Sequence, residues 1–340
     1  MSGAEIGSPD YNEVAIPADC AGLRLDAALA RLFPEHSRSR LQGWLKQGLI
    51  RLDGATADPK RKLHGGESVV FAVAPAPSLE NAPEDIAFPI AYEDEAILVI
   101  DKPAGLVVHP GNGNAAGTLM NALLHHAPAL AQLPRAGIVH RLDKDTAACL
   151  LVAKPRFAAS ALAKTFRSRS ARKIYWALVA GVPKPRQGRI STYLAKEEIE
   201  EDSFMRVAKH GEKDAVHAVT YYAVVETSAQ KLAWLSLKPV TGRTHQLRAH
   251  MAHIGNPIVG DPKYFNIENW ELPGGIQNRL HLLARRIAVP HPRGGIIDVS
   301  APLPPHIEQS WNLLGFDTKR YDPIEDAPEE EYPEARPRPT

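Results

Sequence analysis

A chain of 340 residues has room for two domains, and its 44% apolar and 23% charged residues are ordinary for a globular protein. No apolar run approaches a membrane span, Met1 to Pro9 lacks the basic and apolar regions of a signal peptide, and Cys20 and Cys149 have no metal-ligand partners at standard spacing; reduced thiols in a cytoplasmic protein are expected. The net charge of +1 conceals two basic blocks, with seven Lys or Arg against two acids over 37–64 and ten against two over 135–173, beside an acidic stretch of seven carboxylates and no base over 322–334; that asymmetry points to a polyanion, nucleic acid first.

Residues 1–14 are small and polar and are expected to be disordered. Leu25, Ala28, Leu29 and Leu32 share one helix face, which Pro34 ends. Ser37 or Ser39 is expected to cap a second helix with Leu41, Trp44 and Leu45 inward, and strands follow at Leu49–Leu52 and Glu67–Val73. Arg24-Leu25-Asp26, Ser37-Arg38-Ser39 and Leu49-Ile50-Arg51-Leu52-Asp53-Gly54 make this stretch, 15–73, resemble the small RNA-binding module first described in a small-subunit ribosomal protein. In such a module Arg38, Arg40, Lys46, Lys60 and Arg61 would meet phosphates. Residues 74–88, rich in Pro, Ala and acids, read as a semi-rigid linker.

The second domain, 89–318, opens with a strand at Ala96–Ile100, a turn at Lys102-Pro103-Ala104-Gly105, and a strand at Leu106–His109. Thr118 is expected to cap a helix carrying Leu119, Ala122 and Leu123. The stretch Gly137–Thr146 places His140, Arg141, Asp143, Lys144 and Asp145 between apolar segments, the second being the continuous run Ala147–Ala153. A helix over 157–167 should turn Phe157, Ala161 and Phe166 inward. The strand Ile174–Val179 follows, residues 183–215 read as surface excursions, and further strands lie at Val216–Val225, Lys231–Leu237, Leu280–Val289 and Gly295–Val299. Gly242-Arg243-Thr244-His245-Gln246-Leu247-Arg248 opens a helix with Leu247, Met251 and Ile254 buried, and a last helix lies near Ile307–Leu314. Residues 319–340 form an acidic, Pro-rich tail. Many strands with few intervening helices predict an α+β fold around a mixed, largely antiparallel sheet.

Asp143 is the leading candidate for chemistry. Charged groups between buried segments are costly unless paired or functional. A nearby guanidinium would favour the charged form of a carboxylate there, which could act as nucleophile or base toward a sugar carbon. Asp145, two residues on, points elsewhere.

His140-Arg141-Leu142-Asp143-Lys144-Asp145-Thr146 resembles the signature of the pseudouridine synthases that modify ribosomal RNA. Lys102–Pro110, Lys173-Ile174-Tyr175, Gly242–Arg248 and Gly260-Asp261-Pro262-Lys263-Tyr264 fall in that family's order, so the likeness spans nearly the whole chain. The resemblance implies that Asp143 is the essential aspartate, that Tyr175 packs on the target base, that Arg248 pairs with Asp143, that Leu247 packs against the uracil and that Arg141 fills the gap left by a flipped-out base. It implies ribosomal RNA as partner, a monomer, and no external cofactor; the chain has neither a phosphate loop nor a dinucleotide fingerprint. The sequence departs from the pattern at Ala147-Ala148-Cys149, where the family continues Ser-Gly or Thr-Gly-Leu. If the glycine position needs a positive φ, Ala148 costs on the order of 1 kcal/mol.

Three rival readings have weaker support. His245, His250 and His253 crowd one helix, but no acid joins them at metal spacing. A non-catalytic ribosome-assembly factor would keep the basic surface and need no Asp143. A synthase of the same family acting on transfer RNA would keep Asp143 and change only the substrate.

Overall fold

The computed structural model describes residues 12–33, 38–71, 82–111, 114–199 and 202–327. Its residues fall into two units, Met1–Pro83 and Glu84–Thr340.

In the first unit, helices α1 (Leu25–Leu32) and α2 (Arg38–Lys46) pack on a three-stranded antiparallel sheet of β1 (Asn12–Ala15), β3 (Ser68–Phe71) and β2 (Ile50–Leu52), in the order β1-β3-β2. Leu25, Leu29, Leu41, Leu45, Ile50, Leu52 and Val69 form its core, as the apolar spacing predicts. β1 lies partly within the stretch expected to be disordered. Val14 is opposite Val69, and this pairing with β3 gives Asn12–Ala15 the partner that no local pattern revealed. Ser39 lies inside α2, which begins at Arg38; Pro34 and Ser37 fall outside the described residues. Asp26, fully buried at the start of α1, accepts hydrogen bonds from Arg24, Arg38 and Gln42. Burial alone would raise its carboxyl pKa, but these donors outweigh burial and hold it at about 2.

The second unit is built on a ten-stranded sheet. In chain order its strands are β4 (Ile90–Glu93), β5 (Ile97–Lys102), β6 (Ala147–Ala153), β7 (Arg172–Ala180), β8 (Gln187–Ile199), β9 (Asp202–Ala208), β10 (Val216–Ser228), β11 (Leu232–Pro239), β12 (Leu282–Pro290) and β13 (Ile296–Ser300). The spatial order is β4-β5-β6-β12-β7-β11-β10-β8-β9, with β13 beside β12. Among the described residues only β6 and β12 run parallel; the other pairs are antiparallel. The mixed, largely antiparallel expectation therefore holds. β6 is buried along its whole length, which accounts for its unbroken apolar run. Helices α3 (Leu119–His126), α4 (Arg156–Arg167), α5 (Gln246–His253) and α6 (Pro305–Leu314) complete the unit. Thr118 caps α3 in a reciprocal capping box with Asn121.

Several expectations fail for identifiable reasons. Leu106–His109 is not a strand: the carbonyl of Leu106 accepts from Lys102 and that of Val107 from Leu119, so this backbone is used by a turn and a helix start. Phe157 faces outward, with the Arg293 guanidinium 5.7 Å from its ring centroid, while Ala158 and Leu162 form the buried face of α4. Within 183–215, β8 and β9 form a long hairpin. Its charged residues alternate with Leu194 and Met205, which pack on Ala218 and Ala249, so one face is buried despite a polar composition. Glu84 is already part of the second unit: its backbone N–H bonds Asn121 and its carboxylate accepts from Gly117. At the other end, part of the acidic tail is structural. Asp322 accepts from the Trp176 indole and the Ser236 hydroxyl, Glu325 pairs with Arg172 and Arg286, and Ile324 is buried.

Ala148 has a φ of +83° within β6, where it pairs with Lys102 of β5 and Ala284 of β12. Relief of this strain exceeds the greater chain entropy of glycine, so Ala148→Gly is expected to stabilise the protein by about 0.5–1 kcal/mol. Denaturant unfolding would register this as a higher midpoint at unchanged m-value; a lower midpoint would show that the backbone is unstrained. For Asp26 the folded pKa lies below the unfolded value of 3.8. The carboxylate therefore contributes about 2 kcal/mol above pH 4, and this is lost as pH falls toward 2. Hydrogen exchange of the first unit's amides should accelerate over that window in the wild type and lack that acid limb in Asp26→Asn.

Candidate active site

The loop carrying Asp143 is fixed at both ends. Gly137 has a φ of +77°, and a Cβ there would lie 2.0 Å from the Ala153 carbonyl oxygen, so no other residue fits. His140 accepts a 2.8 Å hydrogen bond at Nε2 from the Leu151 N–H and stacks on Phe166. Burial, with the Lys173 charge adding to it, pushes the His140 pKa down to about 3. A neutral imidazole with its proton on Nδ1 is therefore a structural pin. The Thr146 N–H closes a turn onto the Asp143 carbonyl.

Lys102 holds the loop from below. Its fully buried ammonium donates 2.8 Å hydrogen bonds to the carbonyls of Pro103, Leu106 and Lys144. Burial lowers its pKa to about 8, opposed by the charges of Asp145 and Asp143. Three carbonyl acceptors match the three protons of an ammonium. The Lys-Pro-Ala-Gly turn is thereby tied to the aspartate loop, a role the sequence motif did not disclose.

From the opposite side, α5 brings Arg248 and Leu247. His245, in the left-handed region at φ +48°, turns the chain into the helix. Buried Gln246 anchors that turn: its Oε1 accepts from the Thr241 hydroxyl and the Arg243 N–H, and its Nε2 donates to Val219 and Thr220. Arg248 is 3% exposed. Its Nε and Nη2 form a two-pronged pair with Asp261, both contacts 2.7 Å, while Nη1 lies 3.6 Å from Asp143 Oδ2. Burial would lower the guanidinium pKa, but Asp261 outweighs it and raises it. The Arg248–Asp143 contact is thus an ion pair just beyond hydrogen-bonding distance.

Asp143, His140, Gln246 and Arg248 line a cleft of about 410 Å³ with Tyr175, Lys173, Arg141 and Leu247. Tyr175 is half-buried on β7; burial, and then the charge of Asp143, pushes its hydroxyl pKa up. Arg141 is exposed and donates to the Thr244 hydroxyl at 3.1 Å. Asp143 is the one carboxylate among the described lining residues, beside six Lys or Arg. His250 lies apart from the cleft's chemistry, with its ring nitrogens bonded to Thr192 and Thr220.

The structure thus brings Asp143, Tyr175, Arg248, Arg141 and Leu247 together. Lys102, Asp261 and Lys173 belong to the same site, but sequence reasoning gave them no individual role. Their one sequence signal was membership of the motifs at 102–110, 173–175 and 260–264. In the first unit, Lys46, Lys60 and Arg61 are exposed, Lys46 and Lys60 around one depression. Arg38 is exposed as well, and its guanidinium also donates to buried Asp26 at 2.9 Å, since a buried carboxylate needs a cationic partner. The side chain of Arg40 lies outside the described residues.

Comparison with known proteins agrees with this architecture. Residues 96–253 match the RNA pseudouridylate synthase family model, and residues 23–69 match the S4 domain. The chain is 42% identical over 319 residues to ribosomal large subunit pseudouridine synthase D of Xanthomonas campestris pv. campestris, covering 91% of this chain and 94% of the relative. The protein of the same name from Pseudomonas aeruginosa is 42% identical over 315 residues, covering 90% and 96%. Among solved structures, human RNA pseudouridylate synthase domain containing 4 superposes with a TM-score of 0.53 at 26% identity, over 67% of this chain and 93% of that one. The α+β chain with Asp143 at the centre of its cleft belongs to the RNA pseudouridine synthase family, isomerases that convert uridine in RNA to pseudouridine.

Proposed function

We propose that this protein isomerises specific uridines of large-subunit ribosomal RNA, with Asp143 as the catalytic carboxylate acting on a uridine flipped into the cleft. The observation that carries the assignment is the placement of Asp143. Among the described lining residues it is the one carboxylate on a cationic cleft wall, aimed by a buried arginine whose other edge is clamped by Asp261. The ribosomal target is supported by the relatives, whose name assigns them to the large subunit. A cytoplasmic monomer acting on free or assembling ribosomal RNA fits that reading, and no helix among the described residues is long and apolar enough to cross a membrane.

The reaction breaks the bond between N1 of uracil and C1′ of ribose, turns the base within the site and joins C5 to C1′; the C5 proton is lost and N1 gains one. A carboxylate beside C1′ can attack the sugar or take its C2′ proton, and either role needs a fixed, accessible oxygen. The fork of Asp261 takes two prongs of Arg248 and leaves one directed at Asp143, so the arginine orients the carboxylate without a close hydrogen bond that would blunt it. Tyr175 offers an aromatic face for the unstacked base, worth about 1–3 kcal/mol. Leu247 supplies apolar contact, and exposed Arg141 is placed to enter the space that the base leaves. In the S4 unit, Lys46, Lys60 and Arg61 contact phosphates.

Asp143→Ala is expected to abolish pseudouridine formation on a ribosomal RNA fragment while leaving its affinity within a few-fold of wild type. Undiminished product would remove Asp143 from the chemistry, and no product from the wild type on any large-subunit fragment would favour a non-catalytic assembly factor. Replacing Lys46, Lys60 and Arg61 together with Ser should lower the slope of log affinity against log salt by about 2–3, as expected for the loss of three phosphate contacts. An unchanged slope would assign the S4 unit to another partner.

A further inference from the structure

β7 presents Lys173 and Tyr175 to the cleft, while Arg172 and Trp176 engage Glu325 and Asp322 on its other side. The cations of the cleft differ in their commitments. Arg248 is held by Asp261, Arg141 by Thr244, and Arg243 by the carbonyl of His217. The Lys173 ammonium has no hydrogen-bond or ion-pair partner among the described residues, although the residue is half-buried. The groups facing it are the Arg169 guanidinium before β7, neutral His140 from the aspartate loop, and Gly242 from the turn before α5, where a Cβ would stand 3.9 Å from Nζ. None is an acid, and Asp143 is already paired with Arg248. A desolvated ammonium beside a like charge is costly without an anion.

We propose that Lys173 binds a backbone phosphate adjoining the uridine in the cleft. The inference rests on the reading of this cleft as the site of isomerisation and deepens it by assigning the point at which the nucleotide's backbone is held. Uridine itself carries no anion; its flanking phosphates are the anions that must enter with it. An ammonium on the same strand face as Tyr175, two residues away, can hold the backbone while the base stacks on the ring. Burial, with the Arg169 charge adding to it, lowers the Lys173 pKa to about 8. Binding should therefore be strong below that pH and weaken above it.

The test uses a large-subunit ribosomal RNA fragment on which the full-length protein forms pseudouridine. It is prepared with single charge-neutral methylphosphonate linkages at successive positions around that uridine. In the wild type and in Asp143→Ala, one adjoining linkage should weaken binding about 10–100-fold, as expected for a lost charge-assisted hydrogen bond. Lys173→Met should bind the unmodified fragment correspondingly weakly, lose that linkage penalty, and show a salt slope smaller by about 0.7–0.9. The loss of kcat/KM should lie mainly in KM. Lys173→Arg should retain affinity and abolish the decline of kcat/KM above pH 8, whereas a decline due to Lys102 would persist. An equal linkage penalty in wild type and Lys173→Met, or an alkaline limb unchanged in Lys173→Arg, would overturn the proposal. Because affinity is also read in Asp143→Ala, these outcomes are independent of whether Asp143 is catalytic. Should Lys173→Met fail to fold by circular dichroism, the pH profile of Lys173→Arg decides the matter.

Discussion

A buried guanidinium shared between two carboxylates organises this molecule. Arg248 cannot sit 3% exposed without compensation, and Asp261 supplies it through two 2.7 Å contacts. Asp143 then occupies the remaining edge at 3.6 Å, close enough to be oriented and far enough to keep its oxygens available. The arrangement requires α5, the 260–264 turn and the aspartate loop to converge. Gln246 fixes the first, the Asp261 carboxylate accepts the backbone N–H groups of Lys263 and Tyr264 in the second, and Lys102 and His140 fix the third.

The sheet provides the rigidity that such positioning needs. β7 is central, bonded to β11 on one side and β12 on the other, and its two faces carry different tasks. One face lines the cleft with Lys173 and Tyr175. The other is packed against the segment 322–327, whose carboxylates hold Arg172, Arg286 and the Trp176 indole. An acidic stretch that in isolation reads as a solvated tail therefore secures the strand behind the site. Three buried tryptophans, Trp176, Trp234 and Trp311, pack in succession below it.

Much of the site was legible in the sequence because its residues lie in short motifs with a fixed order. Asp143, Tyr175, Arg248, Leu247 and Arg141 all line the one cleft. The less legible residues act through contacts between distant segments. Asp261 looks like an ordinary turn residue until Arg248 is placed over it. Lys102 looks like a surface lysine until three carbonyls close around its ammonium. Arg38 reads along the chain as a surface cation, and composition cannot reveal that buried Asp26 also draws on it.

The sequence by itself determined the features that depend on neighbours along the chain. These are the apolar run of β6, the helix faces of α1 and α2, the Thr118 cap and the doubtful alanine at 148. Each follows from side-chain period or from backbone sterics, which are local. Only the tertiary structure decided which charges are spent and which are available. It paired Arg38 with Asp26 and Arg248 with Asp261, drew Asp322 and Glu325 onto β7, and left the Lys173 ammonium on the cleft wall without a carboxylate partner among the described residues. Desolvation and ion pairing depend on what surrounds a group in space, and no reading along the chain contains that information.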